Sequence, residues 1–320
     1  MPDIHTSFNI PEALSGKRLD VVLAELMPDY SRSRLKQWLL EGQILLDGRS
    51  VPPKTKVYSD QQLVLEVKVA DVEDEDVAED IPLNIVYEDE SLLIINKPAG
   101  LVVHPAAGNR RGTLQNALLF YDRNLAEVPR AGIVHRLDKD TSGLMVVART
   151  LIAHKYLVEQ IQRREVHREY QTVVHGVMTG GGTVDEPIGR HPRDRIRMTV
   201  REDGRPSVTH YRVLERFRQH THLHVKLETG RTHQIRVHMQ HLRHPVVGDP
   251  VYAGRSRFPP GAEPDFIEVL KNFNRQALHA WRLGLHHPES GELMEWEAPL
   301  PEDMQQLVEA MKEDLAQHDG

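Results

Sequence analysis

Six residues near the middle of the chain, His135-Arg136-Leu137-Asp138-Lys139-Asp140, gather two carboxylates, two fixed cations and an imidazole. Groups of these types can deliver or take up a proton, and an ionised carboxylate can attack an electrophilic carbon. Thr141, Ser142 and Gly143 follow, two hydroxyls that can close turns and a residue free to adopt positive φ. The bland alternative is a solvated turn whose charges compensate one another. Apolar residues enter from Gly132 and leave from Leu144 to Ala148, so the pattern predicts strand, charged loop, strand, with the loop held between two buried elements.

Three other stretches carry groups of similar potential: Asn96 to Pro105, Arg168-Glu169-Tyr170, and Glu228 to His238 with Arg231, His233 and Arg236. The net charge of -7 hides their setting. Ten acids and no Lys or Arg lie between Asp71 and Glu90, and six acids against one Lys between Glu302 and Asp319. The rest of the chain is basic, with twelve Lys and Arg against five acids from Arg190 to Arg236. A basic body with acidic appendages suits a phosphate-bearing partner. The absence of cysteine excludes disulfides, thiolate zinc sites and a cysteine nucleophile. With no signal-like N-terminus and no apolar run of membrane-spanning length, a soluble cytoplasmic protein is expected.

The 320 residues allow two domains. Residues 1–15 read as an N-terminal extension and 16–69 as a small domain. In the latter, Leu19, Val22, Leu23 and Leu26 predict a helix that stops before Pro28. Ser31 is placed to cap a second helix, with Leu35, Trp38 and Leu39 inward and Arg32, Arg34 and Lys36 outward. Ile44-Leu45-Leu46, the Asp47-Gly48 turn and a later strand from Leu63 complete it. Residues 70–81 read as an extended acidic linker. From 82 to 320 the pattern is α+β, with a long, mostly antiparallel mixed sheet flanked by helices and loops. A helix capped by Thr113 is expected to turn Leu114, Ala117, Leu118 and Tyr121 inward, Ala153, Leu157 and Ile161 mark another, and Met304 to Leu315 a last one.

The motif His135-Arg136-Leu137-Asp138 with Thr141-Ser142-Gly143, and the other three stretches in the same order, resemble the pseudouridine synthases. The likeness is to the branch that modifies ribosomal RNA and often carries an N-terminal S4 RNA-binding domain, which residues 17–69 resemble. It runs from about Gly16 to Pro301. The resemblance implies an isomerase that flips a uridine out of RNA, cleaves its glycosidic bond and rejoins carbon 5 to the ribose. The implied substrate is large-subunit (23S) rRNA or a pre-ribosomal particle, at uridines of the helix 69 stem-loop; other rRNA or tRNA uridines are the alternative. It places Asp138 as the reacting carboxylate, Arg236 as its ion-pair partner and Tyr170 as the residue that stacks on the base and moves a proton. Leu278 becomes the apolar residue against the ring and Arg136 the side chain that replaces the flipped base. Arg231 and His233, with Arg32, Arg34 and Lys36, are expected on RNA. Neither a metal nor an organic cofactor is expected, and the protein is expected to act as a monomer.

Three rivals compete with this interpretation. His222/His224 and His238/His241/His244 could suggest a metal site, but lack a carboxylate at a useful spacing. Asp138 and Asp140 could be the pair of a hydrolytic glycosidase, which would release free uracil. A binding protein, such as an S4-type assembly factor, would have no use for Asp138, Tyr170 and Arg236 together.

Overall fold

The computed structural model of the chain describes residues 4–27, 30, 32–67, 77–105, 109–194, 196–254 and 258–318, with the side chains of 4, 5, 32–34 and 67 outside that description. Met1–Glu75 and Asp76–Gly320 form two compact units.

In the first unit, β1 (Ile4–Asn9), α1 (Leu19–Leu26), α2 (Arg32–Leu40), β2 (Ile44–Leu46) and β3 (Gln62–Val67) build a three-stranded sheet in the order β1-β3-β2 beside two helices. The stretch set apart as an extension thus supplies an edge strand, paired antiparallel from Ile4↔Val67 to Asn9↔Gln62. Leu19, Val22 and Leu23 of α1 and Leu35, Trp38 and Leu39 of α2 share one core with Ile44, Leu46, Leu63 and Leu65, as their helical and alternating spacings require. Past α2, the Gly42 amide donates to Leu39 O and the Gln43 amide to Trp38 O, satisfying carbonyls the helix leaves open. Asp47 and Gly48 both have positive φ, the backbone that a two-residue hairpin turn matching strand twist demands. The cap expected at Ser31 and residues 70–76 of the expected linker lie outside the described residues. Of the rest of that segment, Val77 O accepts from Asn116 Nδ2 at 2.7 Å, and the Glu79 carboxylate accepts the Gly112 amide at 3.2 Å.

The second unit runs β4 (Ile85–Glu88), β5 (Leu92–Lys97), α3 (Leu114–Tyr121), β6 (Ser142–Ala148), α4 (Leu151–Arg163), β7 (His167–His175), β8 (Gly182–Asp185), β9 (Ile188–Arg190), β10 (Met198–Val200), β11 (Val208–Arg216), β12 (His220–Leu227), α5 (Gln234–His241), α6 (Pro264–Asn272), β13 (Leu278–His286), β14 (Leu293–Glu297) and α7 (Glu302–His318). The large sheet has the order β4-β5-β6-β13-β7-β12-β11-β8, with β14 on β13, and every pairing is antiparallel except β6 with β13. This is the α+β fold with a mostly antiparallel mixed sheet that the sequence predicts.

Why the strands of the sheet's middle are apolar throughout follows from what covers them. Leu93 and Ile95 of β5 and Met145 and Val147 of β6 face a core shared with α3, α5, α6 and α7. Their neighbours Leu92, Ile94, Leu144, Val146 and Ala148 face a second core with α4 and Trp296. A strand with a core on each face has no polar period to show. Strand β13 joins two halves: its first residues pair with β6 and its later ones with β14, on the same edge, while β7 runs along the other. At the β6–β13 contact the backbones are so close that a Cβ on Gly143 would stand 2.3 Å from Ala280 O. Only glycine fits.

Two local expectations need correction. The residues before the charged loop are not a strand: Ile133 makes a single bridge to Val147, preceded by Arg130, Ala131 and Gly132, all at positive φ. A Cβ on Gly132 would lie 1.9 Å from Ala148 O, so the chain arrives pressed end-on against β6 instead of beside it. Tyr121 is not inward: α3 buries Leu114, Ala117 and Leu118, while Tyr121 is exposed and its hydroxyl donates to Glu88 at 2.6 Å. Its phenol can reach solvent and a carboxylate together, which burial would forfeit.

Candidate active site

The charged loop is held by backbone and side-chain hydrogen bonds on every side. Lys97, at the end of β5 and almost wholly buried, donates from Nζ to the carbonyls of Pro98, Leu101 and Lys139 at 2.8–2.9 Å. Burial pulls its pKa down to about 7, opposed by the charges of Asp140 and Asp138. The Gly100 amide also reaches Lys139 O, and Arg275 donates to Asp140 O. Gln276 donates to Thr141 Oγ1, and Ser142 Oγ pairs with His279 Nδ1, so the residues just before and at the start of β13 grip the loop's exit. On the entry side, burial, with Arg168's charge as a lesser cause, pushes His135 down to about 3. The imidazole is therefore neutral and its Nε2 accepts the Val146 amide at 3.1 Å. That bond satisfies a β6 amide which an incoming strand would otherwise have taken.

Asp138 stands on this frame, partly exposed. Arg236 Nη1 donates to its Oδ2 at 3.0 Å. The same guanidinium is gripped from behind by Asp249, with Nε to Oδ2 at 2.6 Å and Nη2 to Oδ1 at 2.9 Å. Asp249 is itself aimed by the amides of Val251 and Tyr252, which donate to Oδ1 at 2.8 and 3.0 Å. Arg236 is 4% and Asp249 2% exposed, so this is a buried fork-to-fork pair with one guanidinium nitrogen left for Asp138. Burial by itself would pull Arg236 down, but the bonds and charge of Asp249, then of Asp138, hold its pKa above the ordinary value. The guanidinium carbon also lies 5.0 Å from the centre of the Tyr252 ring.

Tyr170 and Leu278 border the same cleft. Tyr170 is on β7, paired with Val225 and Ala280, and Leu278 opens β13 opposite Thr172. Together with Arg136, Asp138, His233 and Arg236 they line a cavity of about 50 Å³. Burial raises the Tyr170 pKa, Arg168 opposing and Asp138 adding a smaller push. His233, in a left-handed conformation at the start of α5, bonds Tyr252 through Nδ1 at 2.8 Å and holds Nε2 3.9 Å from Asp138 Oδ1. Arg136 is exposed at the rim. Next to this cleft and sharing Arg136, Asp138, Tyr170 and Arg231 with it is a groove of about 810 Å³, whose walls also include Arg130, Arg164 and Arg168. The arrangement offers an oriented carboxylate, a phenol and an apolar wall at the end of a basic trough. That is a site for a planar base on a phosphate-bearing strand.

The structure thus gathers Asp138, Tyr170, Arg236, Arg136, Leu278, Arg231 and His233 at one place. Lys36 is exposed on α2, in the other unit; the side chains of Arg32 and Arg34 are outside the described residues. Sequence reasoning missed Asp249 and Tyr252. An acid inside Val246-Val247-Gly248-Asp249-Pro250-Val251-Tyr252, with no cation near it in sequence, was the available signal of a distant buried partner. Lys97 was marked only as part of a stretch, and its position under the loop makes it a support.

Comparison with known proteins follows the same lines. Residues 91–241 match the RNA pseudouridylate synthase family and residues 17–63 the S4 domain. The chain is similar to ribosomal large subunit pseudouridine synthase D of Escherichia coli K12, at 57% identity over 98% of this chain and 97% of that one. It is similar to the protein of that name in Pseudomonas aeruginosa PAO1, at 56% identity over 97% of each. Among solved structures, human RNA pseudouridylate synthase domain containing 1 aligns with a TM-score of 0.53 at 26% identity, over 73% of this chain and 96% of that one. Human RNA pseudouridylate synthase domain containing 4 shares the fold, with a TM-score of 0.55 at 24% identity over 72% and 93%. With near-complete coverage by such relatives and a carboxylate, arginine and tyrosine brought together from three distant segments, the chain belongs to the RNA pseudouridine synthase family of isomerases.

Proposed function

We propose that this enzyme converts uridine to pseudouridine in large-subunit (23S) rRNA, at the helix 69 stem-loop, acting in the cytoplasm with its S4 unit adding affinity for RNA. The observation that carries it is the Asp138–Arg236–Asp249 relay at the end of an arginine-lined groove. The names of the relatives support the large-subunit substrate. In this reading the target base leaves its stack, at a cost of a few kcal/mol, and Arg136 fills the gap with a planar cation. The base enters between Tyr170 and Leu278. Asp138, held and aimed by Arg236, either attacks the anomeric carbon, adds to the base or assists a glycal route. Whichever holds, the freed uracil must turn without escaping, and the closeness of the cleft serves that. Tyr170, whose burial keeps it protonated, passes its proton to the ring nitrogen freed from the sugar and takes up the one that leaves carbon 5 once that carbon is joined to the ribose.

Pseudouridine mapping of 23S rRNA from cells carrying only the Asp138→Asn protein tests the proposal. Loss of modification at helix 69 with an unchanged melting profile is expected. Undiminished modification would remove Asp138 from the chemistry, and loss at other rRNA or at tRNA uridines would move the substrate assignment.

A further inference from the structure

Arg168 stands out in the wall of the groove. It lies two residues before Tyr170 on the same face of β7, and with only 7% of its surface exposed it is as buried as a core side chain. Its Nε is sealed from solvent and meets no hydrogen-bond partner among the described residues. A buried guanidinium is ordinarily paired, as Arg236 is with Asp249. It packs against Gly230, where a Cβ would lie 2.5 Å from Arg168 Nη1. Arg164, in a left-handed conformation after α4, and Arg231 line the same groove, and Arg231 loses basicity through burial and then through Arg205, Arg164 and Arg168. The acid among them, Glu228, is already taken by Arg164 at 2.9 Å and His210 at 2.7 Å. The cluster is short of negative charge.

We propose that Arg168, with Arg164 and Arg231 beside it, is a positioning residue that holds a backbone phosphate adjoining the flipped nucleotide. Arg168 and Tyr170 are one strand repeat apart, roughly 7 Å, a separation that suits a base held by one and its phosphate by the other. A planar guanidinium whose two Nη groups, unlike the sealed Nε, are left to the groove matches two phosphate oxygens. The unpaired state of the free enzyme is then a site prepared in advance, and Gly230 is the residue that lets the Arg168 guanidinium lie against the chain there. The inference rests on the RNA isomerase reading given above.

The test uses full-length protein and a synthetic 23S helix 69 stem-loop, together with versions in which single phosphates beside the target uridine are replaced by uncharged methylphosphonate. Arg168→Met is expected to melt at the same or a higher temperature than wild type, since it removes an unpaired buried charge. It is expected to raise KM on normal RNA by about tenfold or more and to lessen the salt slope of binding by about 0.7, the value of one phosphate contact on single-stranded RNA. One methylphosphonate position should weaken wild type and leave Arg168→Met unaffected, and Arg168→Lys should recover part of the loss. A lowered melting temperature with unchanged KM, or equal losses for both proteins at every methylphosphonate, would overturn the proposal and make Arg168 a structural residue. Asp138→Asn serves as control: if it stays active on the same RNA, the isomerase reading has failed, whereas a dead Asp138→Asn beside an unaffected Arg168→Met condemns the phosphate site alone.

Discussion

Asp249→Asn separates two functions of one side chain. Asparagine keeps an Oδ1 that can accept the Val251 and Tyr252 amides, now at 2.8 and 3.0 Å. It presents an NH2 group, however, where Asp249 Oδ2 now accepts from Arg236 Nε at 2.6 Å. The turn therefore survives while a buried cation loses its bidentate partner. Removing one member of a buried pair costs about 3–5 kcal/mol, and the bonds Arg236 keeps, from Nη1 to Asp138 at 3.0 Å and from Nη2 to Oδ1 of residue 249 at 2.9 Å, argue for the lower end, about 3 kcal/mol. For a unit of this size that is roughly 6–12 °C in melting temperature. Arg236 would also be drawn toward Asp138, and a displacement on the order of 1 Å at the reacting group costs about a hundredfold in turnover. Thermal melting followed by tritium release from 5-³H-uridine RNA measures both effects. Arg236→Met added to Asp249→Asn should regain stability without regaining activity, because the unpaired charge goes but the aiming group goes with it. An Asp249→Asn protein within 1 kcal/mol of wild type and fully active would refute the relay.

Two further outcomes are expected. Arg136→Ala, altering an exposed side chain at the rim, should leave stability within about 0.5 kcal/mol but cut turnover by at least tenfold on a structured stem-loop, with a smaller loss on RNA whose target base is already unstacked by a mismatch; equal losses on both would end its assignment to flipping. Lys97 has a folded pKa of about 7 against 10.5 in the unfolded chain. Between those values the unfolded state binds more protons, so wild-type stability gains with rising pH, while below 7 the full cost of the buried ammonium is present. Lys97→Met lacks this gain, and chemical denaturation at pH 6 and pH 9 should show the variant falling further behind wild type at the higher pH; parallel pH profiles would contradict it.

Much of the candidate site was legible because the residues the structure gathers there lie in segments whose composition breaks the surrounding pattern. Asp138 sits among charges between apolar runs, and Tyr170 and Arg236 follow basic neighbours. The fold class was legible for a related reason, since helical and alternating spacings report what each face touches, as Leu35, Trp38 and Leu39 show by sharing one core. What escaped was set by distance in sequence. Asp249 reads as a turn residue, and nothing local says that a guanidinium thirteen positions earlier will need it. The false strand before the loop was a failure of the same kind. Ile133 and Val134 look like strand residues, but the positive φ of Arg130 to Gly132 and the imidazole on Val146 deny them an edge to pair with. Tyr121 went outward because a single exposed carboxylate, Glu88, outbid the core for its hydroxyl.

The bond between Arg236 and Asp138 engages one carboxylate oxygen, Oδ2, while Oδ1 has His233 no nearer than 3.9 Å. The two oxygens of the acid are thereby made unlike. Oδ2 serves as a pivot fixed to a clamped cation, and Oδ1 meets no hydrogen-bond donor among the described residues. A carboxylate built this way keeps its hold on the protein through one oxygen while the other stays open to the cleft, so whatever enters meets an acid that cannot swing aside to greet it.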